Sequence, residues 1–296
     1  MRNNLIIKDL ENIYTSTTSL WDEFKNTQIF ITGGTGFFGT WLLESFIWAN
    51  KELDLNTNVY VLTRNIETYS KNFPYIYSDP RINFIKGDIR NFDFPKGEFP
   101  YIIHAATTSA NETYNNQDPL VKYDTIVNGT IHTLEFALKS NCKKFLYISS
   151  GATYGTQPKE ILHIPESYLG APSTLDKNFD HSVLGEAKRV SEILTSVYSN
   201  RYGLETKIAR CFSFVGPYLP LNVHYAIGNF IKNAVDNIPI KIFGDGSPIR
   251  SYMYTSDLII WLLTILIRGQ NNEFYNVGSE ERVTIYDLAK KIVDLT

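Results

Sequence analysis

Thr32-Gly33-Gly34-Thr35-Gly36-Phe37-Phe38-Gly39 is the stretch whose reading decides the fold. The apolar run Gln28-Ile29-Phe30-Ile31 precedes it and the amphipathic segment Thr40 to Ala49 follows. The order is therefore strand, glycine turn, helix. Gly33 allows the tight turn out of the strand. Gly36 lets backbone approach a pyrophosphate, and Gly39 lets the helix pack on the sheet. The helix amides and the positive end of its dipole then face phosphate, with Thr35, Phe37 and Phe38 in the same loop. A glycine triplet alone is a weak sign, and the flanking strand and helix strengthen it.

Working outward, Val59-Tyr60-Val61-Leu62 reads as a second strand ending at Thr63-Arg64-Asn65. An acidic residue at this strand end would bond the adenosine ribose; Arg64 instead suits a 2′-phosphate, which tilts the cofactor from NAD toward NADP. Ile82-Asn83-Phe84-Ile85 is a third strand, followed by Gly87-Asp88-Ile89. Asp88 has two readings, an acceptor for the adenine amino group or a cap of its own loop. Tyr101 to His104 is a fourth strand. Ala105 and Ala106 then supply small residues where backbone must approach a ligand, and His104 reads as a core histidine. Helices over 118–140 and 181–202 flank a fifth strand, Lys144 to Ile148, and Glu205 to Cys211 is a sixth. Such alternation predicts an α/β fold, a Rossmann-type doubly wound parallel sheet.

Residues 1–26 read as an N-terminal extension packed back on a dinucleotide-binding domain spanning 27–215. After Gly216-Pro217 the composition changes. Residues 216–296 read as a smaller C-terminal substrate-binding lobe with a short strand at Ile240-Lys241-Ile242-Phe243, a strand at Phe274 to Val277, and helices over 226–235, 256–268 and 284–294.

The net charge of −3 over 296 residues gives no basic excess to neutralise phosphates, which argues against nucleic-acid and membrane-surface partners. The apolar run Leu258 to Ile267 is too short to span a bilayer. Cys142 and Cys211 lack metal-type neighbours, so no metal site is expected, and reduced structural thiols point to the cytoplasm. Met1 to Leu10 carries charges rather than a signal-type apolar run.

Together the glycine stretch, Gly87-Asp88-Ile89, His104-Ala105-Ala106, Ser149 to Gly155, Gly185 to Glu192, Ala209 to Pro217 and Gly244 to Asp257 resemble the extended short-chain dehydrogenase/reductases, the nucleotide-sugar epimerases, dehydratases, decarboxylases and reductases. The resemblance runs from about Thr27 to the C-terminus. It implies a Ser/Thr that holds a sugar hydroxyl, a Tyr that takes its proton, and a Lys four residues later that bonds the nicotinamide ribose and lowers the tyrosine pKa. Ser150 and Lys188 match the first and last. The tyrosine position is Leu184, which cannot transfer a proton. His181 lies one helical turn earlier and reads either as a substitute base or as a polar residue at a helix start.

The resemblance also implies an Asp-Glu pair directly after the Ser/Thr in the dehydratases, and a nearby Glu in the decarboxylases. Gly151-Ala152 stand there, which favours epimerisation or 4-keto reduction in surface polysaccharide biosynthesis unless Glu166 or Glu186 supplies the acid. A catalytically weakened protein that keeps both binding sites is the second reading, and a dehydratase or decarboxylase the third. Arg250 matches the family arginine on the sugar-nucleotide diphosphate, a fork suited to phosphate. Ser213 stands where the family usually has Asn, and Asn229 is a further diphosphate contact. The resemblance implies a homodimer through the helices at 118–140 and 181–202; family members usually continue with another strand and helix, so either the chain is cut short at Thr296 or this branch is short.

Overall fold

The computed structural model describes residues 4–108, 112, 118–175, 179–223 and 225–296, with the backbone alone at 179–181. Its centre is a seven-stranded sheet in the order β10-β6-β5-β4-β1-β2-β3. The strands are β1 (Gln28–Thr32), β2 (Asn58–Thr63), β3 (Ile82–Lys86), β4 (Tyr101–His104), β5 (Lys144–Ser150), β6 (Glu205–Cys211) and β10 (Glu273–Val277). Every pairing is parallel, with Ile31 facing Val61 on one side and Ile103 on the other. A parallel sheet must be covered on both faces, and the strands are correspondingly apolar throughout.

Alternate residues feed two cores. Ile29, Ile31, Val59, Val61, Ile103 and Leu146 meet helices α1 (Asn4–Ser16), α2 (Phe37–Leu53) and α8 (Thr255–Arg268). Phe30, Ile102, Phe145, Tyr147 and Ile208 meet the opposite layer, where α5 (Pro119–Lys139) contributes Leu134, Phe136 and Ala137. The period of two in side-chain direction produces this division. Helix α6 (Phe179–Tyr202) packs on α5 through Ala187 and the partly buried Leu184 against Ile126 and Val127. The N-terminal segment does pack back on the sheet layer, burying Ile6, Leu10, Ile13, Trp21 and Phe24.

From β1 the chain winds outward through β2 to β3, then returns to β4 and winds the other way. The direction reverses between β1 and β4, the place where doubly wound sheets open a crevice at their carboxyl edge.

A smaller core holds Ile227 and Phe230 of α7 (Ala226–Val235) against Leu288 and Ala289 of α9 (Ile285–Leu295). Beside it, β8 (Ile249–Arg250) pairs antiparallel with β11 (Val283–Thr284), and β7 (Phe214–Val215) pairs with β9 (Met253–Tyr254). Two expectations change here. Ile240 to Phe243 forms no strand: Ile240 and Ile242 alternate because they pack on this small core, without a ladder partner. Residues 255–277 do not stay with the lobe. α8 buries Leu258, Ile259, Leu262, Leu263 and Leu266 on the large sheet, and β10 extends that sheet beside β6. A helix apolar on nearly all sides needs a large sheet to cover it.

Candidate functional site

Because all seven strands run the same way, their C-terminal ends form one edge. Gly33 follows β1, Arg64 follows β2, Asp88 lies just past β3, Ala105 and Ala106 follow β4, Ser150 ends β5 and Ser213 follows β6. The topology thus gathers these sequence-selected residues along one crevice, while Asn229 and Arg250 lie on α7 and β8 of the smaller lobe.

At the glycine turn the three glycines have different constraints. Gly33 has φ +71°, and a Cβ there would lie 2.6 Å from the Ala105 carbonyl oxygen. A Cβ on Gly39 would lie 2.3 Å from the Gly34 Cα, so α2 can approach the turn only with glycine there. Gly36 is exposed, and a Cβ on it would meet nothing nearer than the Gly33 oxygen at 3.3 Å. Its hydrogen is therefore not required by the fold. Gly36 is also the N-cap of α2 and gives that helix no side-chain cap. An uncapped helix start beside an open glycine fits a dinucleotide pyrophosphate. Thr35 Oγ1 lies 3.2 Å from Thr63 Oγ1, tying the turn to β2. Phe38 packs edge-on to Phe214 at 4.9 Å, and Phe37 lies against Phe38.

Around β4 a hydrogen-bond chain fixes His104. The Ala106 N–H donates to Thr32 Oγ1 at 3.1 Å, and that hydroxyl lies 2.7 Å from His104 Nδ1. His104 Nε2 lies 3.0 Å from Thr130 Oγ1, which itself donates to the Ile126 carbonyl. With both hydroxyls oriented this way, the ring carries its proton on Nε2. Burial first, and the Lys188 charge second, push the imidazole down to about 3. His104 is a neutral core residue that holds the Ala105-Ala106 strand end in place.

Arg64 and Asp88 already have partners. Arg64 forms a two-pronged pair with Glu112, at 2.6 and 3.0 Å. Asp88 accepts from Arg90 Nε and Nη2, each at 2.8 Å, and from the Arg90 N–H at 3.0 Å. The Arg90 fork holds the Asp88 carboxyl down at about 2. Ile89 is buried, with α5 so close that a Cβ on Gly129 would lie 2.8 Å from it.

At the end of β5, Ser150 caps a short 3-10 turn (Gly151–Tyr154), accepting from the Ala152 N–H at 3.1 Å. Helix α6 approaches this turn at Gly185, where a Cβ would lie 2.5 Å from the Ala152 oxygen. That approach brings in Lys188, whose ammonium donates to the Ile148 carbonyl at 2.7 Å and lies 4.9 Å from the Tyr147 ring centre. Burial pulls its pKa down to about 8. Lys188 thus reaches the backbone of β5 two residues before Ser150. Leu184, one turn before Lys188, packs in the apolar seam between α5 and α6. The side chain of His181 lies outside the described residues.

Behind Ser150 lies a polar cluster that the motif reading missed. Glu192 receives Arg210 through two bonds, of 3.0 and 2.7 Å, and also accepts from Ser149 Oγ at 2.5 Å. Arg210 Nη1 donates to the Tyr154 hydroxyl at 2.8 Å, which donates in turn to Asn276 Oδ1 at 2.7 Å. The cluster ties β5, α6, β6 and β10 together. Its one sequence signal is Glu192, a turn beyond Lys188 on the same helical face.

On the substrate side, the Ser213 carbonyl accepts from the Met253 N–H at 3.0 Å, joining the end of β6 to the strand after Arg250. Arg250 is exposed on β8 and donates to the Ile249 carbonyl. Asn229 sits half-buried in the first turns of α7.

The parallel, doubly wound sheet with an open glycine turn at its carboxyl edge is the architecture of the dinucleotide-binding class. The chain belongs to the NAD-dependent epimerase/dehydratase family, which matches residues 29–278. It is 27% identical over 275 residues to UDP-glucuronic acid decarboxylase 1 of Arabidopsis thaliana, covering 91% of this chain and 59% of that protein's length. The fold is similar to that of the UDP-N-acetylglucosamine 4-epimerase from Methanobrevibacter ruminantium, with TM-score 0.77, 22% identity, and coverage of 92% and 82% of the two chains. It is also similar to the dTDP-glucose 4,6-dehydratase from Streptomyces venezuelae solved with NAD bound, with TM-score 0.73, 25% identity, and coverage of 90% and 80%.

Proposed function

We propose that this protein binds NAD at the glycine turn and a nucleotide sugar at Ser150, and that it is an epimerase or 4-keto reductase whose turnover is limited at proton transfer. The observation that carries this reading is that Lys188 bonds the β5 backbone two residues before Ser150, while Leu184, one turn earlier on the same helix, is an apolar side chain packed against α5. NAD, when bound, supplies a hydride acceptor for a sugar carbinol. Gly36 would admit its pyrophosphate at the turn that Gly33 and Gly39 allow to form, Ala105 and Ala106 would pass close to it, and Lys188 would contribute an ammonium at that edge. Ser150 orients the sugar hydroxyl. Leu184 removes no proton. General acid–base assistance is worth about 10² to 10⁴ in rate, and that is the deficit proposed.

Three features support NAD and this reaction class. A 2′-phosphate would compete with the Glu112 carboxylate for Arg64. Gly151 and Ala152 give no acid beside Ser150. Of the two other acids considered, Glu166 accepts from the Asn276 N–H at 2.9 Å and Glu186 lies 3.7 Å from Arg189. The decarboxylase name of the Arabidopsis relative keeps decarboxylation as an alternative reading.

The proposed partner is a second copy of this chain. Leu120, Tyr123 and Leu138 of α5 and Ile193, Val197 and Tyr202 of α6 are exposed apolar residues on the pair of helices that the family resemblance points to. The two free thiols, Cys142 and Cys211, fit a reducing cytoplasm.

The test is a panel of UDP-, GDP-, CDP- and dTDP-sugars incubated with NAD, and of their 4-keto derivatives incubated with NADH, followed by NMR. A slow epimerised or reduced product supports the reading. Loss of that product in His181→Ala assigns the residual proton transfer to His181. A decarboxylated or dehydrated product would replace the proposed reaction class.

A further inference from the structure

We infer that Phe212 sets substrate class at this site, selecting nucleotide sugars that are uncharged at C6 over uronates. The inference rests on the reading of Ser150 as the group that holds the sugar hydroxyl.

Phe212 follows the last residue of β6, and Cys211 is the register partner of Ser150. A Cβ on Gly151 would lie 2.7 and 2.8 Å from two ring carbons of Phe212. The ring therefore occupies the space that any side chain after Ser150 would take. It is backed by Tyr154, with ring centres 6.3 Å apart and planes 24° from parallel, and by Gly278, where a Cβ would lie 3.3 Å from Phe212 Cβ. Phe212 remains 38% exposed, so the ring presents an apolar wall over Gly151, the residue directly after Ser150.

Among the described residues, the cations near that wall are already engaged elsewhere. Lys188 is only 4% exposed, with its ammonium held under the strand end on the Ile148 carbonyl. The Arg189 guanidinium donates to the Gly170 carbonyl at 2.8 Å and faces Glu186. Arg210 is gripped by Glu192 and Tyr154 and sandwiched between the Tyr154 and Phe274 rings, 4.7 and 4.6 Å from their centres. The C5 substituent is adjacent to a hydroxyl on C4. A sugar held through that hydroxyl would bring a hydroxymethyl or methyl group to the ring at little cost. A carboxylate brought there would lose water without gaining an unengaged cation among the described residues.

The experiment measures binding by calorimetry in the presence of NAD, using pairs with the same nucleotide: UDP-glucose with UDP-glucuronate, and dTDP-glucose with dTDP-glucuronate. The inference predicts a preference of about tenfold or more for the hexose, retained in Phe212→Leu and reduced at least about tenfold in Phe212→Arg. Circular dichroism and unchanged NAD affinity check that each variant folds. If Phe212→Arg does not fold, the wild-type and Phe212→Leu ratios decide. Equal or tighter binding of the uronate by the wild-type protein overturns the inference while leaving the nucleotide-sugar reading intact. So does an unchanged ratio in folded Phe212→Arg. If no member of any pair binds, the nucleotide-sugar reading falls and the inference falls with it.

Discussion

Glu192 and Arg210 form a well-buried ion pair, with side-chain exposures of 5% and 13%. Removing one partner of such a pair leaves an uncompensated charge, so Glu192→Ala should cost about 3–5 kcal/mol in urea unfolding. His104 makes a second residue-scale prediction. Its folded pKa, about 3, lies below the ordinary histidine value of 6.5. The unfolded chain therefore takes up this proton first as pH falls, and stability from a neutral His104 is full above about pH 6.5 and lost from there toward pH 3. Urea midpoints across that window should fall less steeply in His104→Gln than in the wild-type protein; parallel curves would show that other groups drive the acid loss. At this scale the sequence was only partly legible. Ser150 and Lys188 were selected through the family resemblance of two local motifs, Ser149 to Gly155 and Gly185 to Glu192. The Arg64–Glu112 pair joins residues 48 apart, and the Phe212 ring reaches Gly151 through strand pairing, so neither had a local pattern to reveal it.

Among the elements, α2 and its turn separate folding from binding. Gly39→Ala forces a Cβ into the Gly34 backbone and should destabilise the protein by about 1–3 kcal/mol. Gly36→Ala meets only the Gly33 oxygen at 3.3 Å, so it should unfold close to the wild-type midpoint yet bind NAD at least about tenfold more weakly. Equal NAD affinity in folded Gly36→Ala would remove the pyrophosphate from this turn. Helices α5 and α6 give another element-scale prediction. Ile193 is 62% exposed, and Ile193→Glu should convert the proposed dimer to monomer by light scattering without loss of helicity. The strands were legible because both faces of the sheet demand apolar residues. The Ile240 to Phe243 segment misled because packing on a small core produces the same alternation as a sheet ladder.

For the molecule as a whole, seven parallel strands deliver the binding residues to one edge, while the chain after Gly216 supplies both a small lobe and the last sheet strand. That return of β10 to β6 was hidden in the sequence, since nothing in Glu273 to Val277 names its partner. Asn276 nevertheless joins the cluster behind Ser150, so the last sheet strand supports the same site as the first six. The central claim is that this architecture keeps both binding functions while Leu184 withholds the proton-transfer group. The most direct measurement is turnover of a nucleotide sugar by the wild-type protein and by Leu184→Tyr, with NAD affinity determined for both. Turnover higher by about 10² or more in Leu184→Tyr at unchanged NAD affinity is the predicted result. Wild-type turnover equal to or faster than that of a folded, NAD-binding Leu184→Tyr would contradict it.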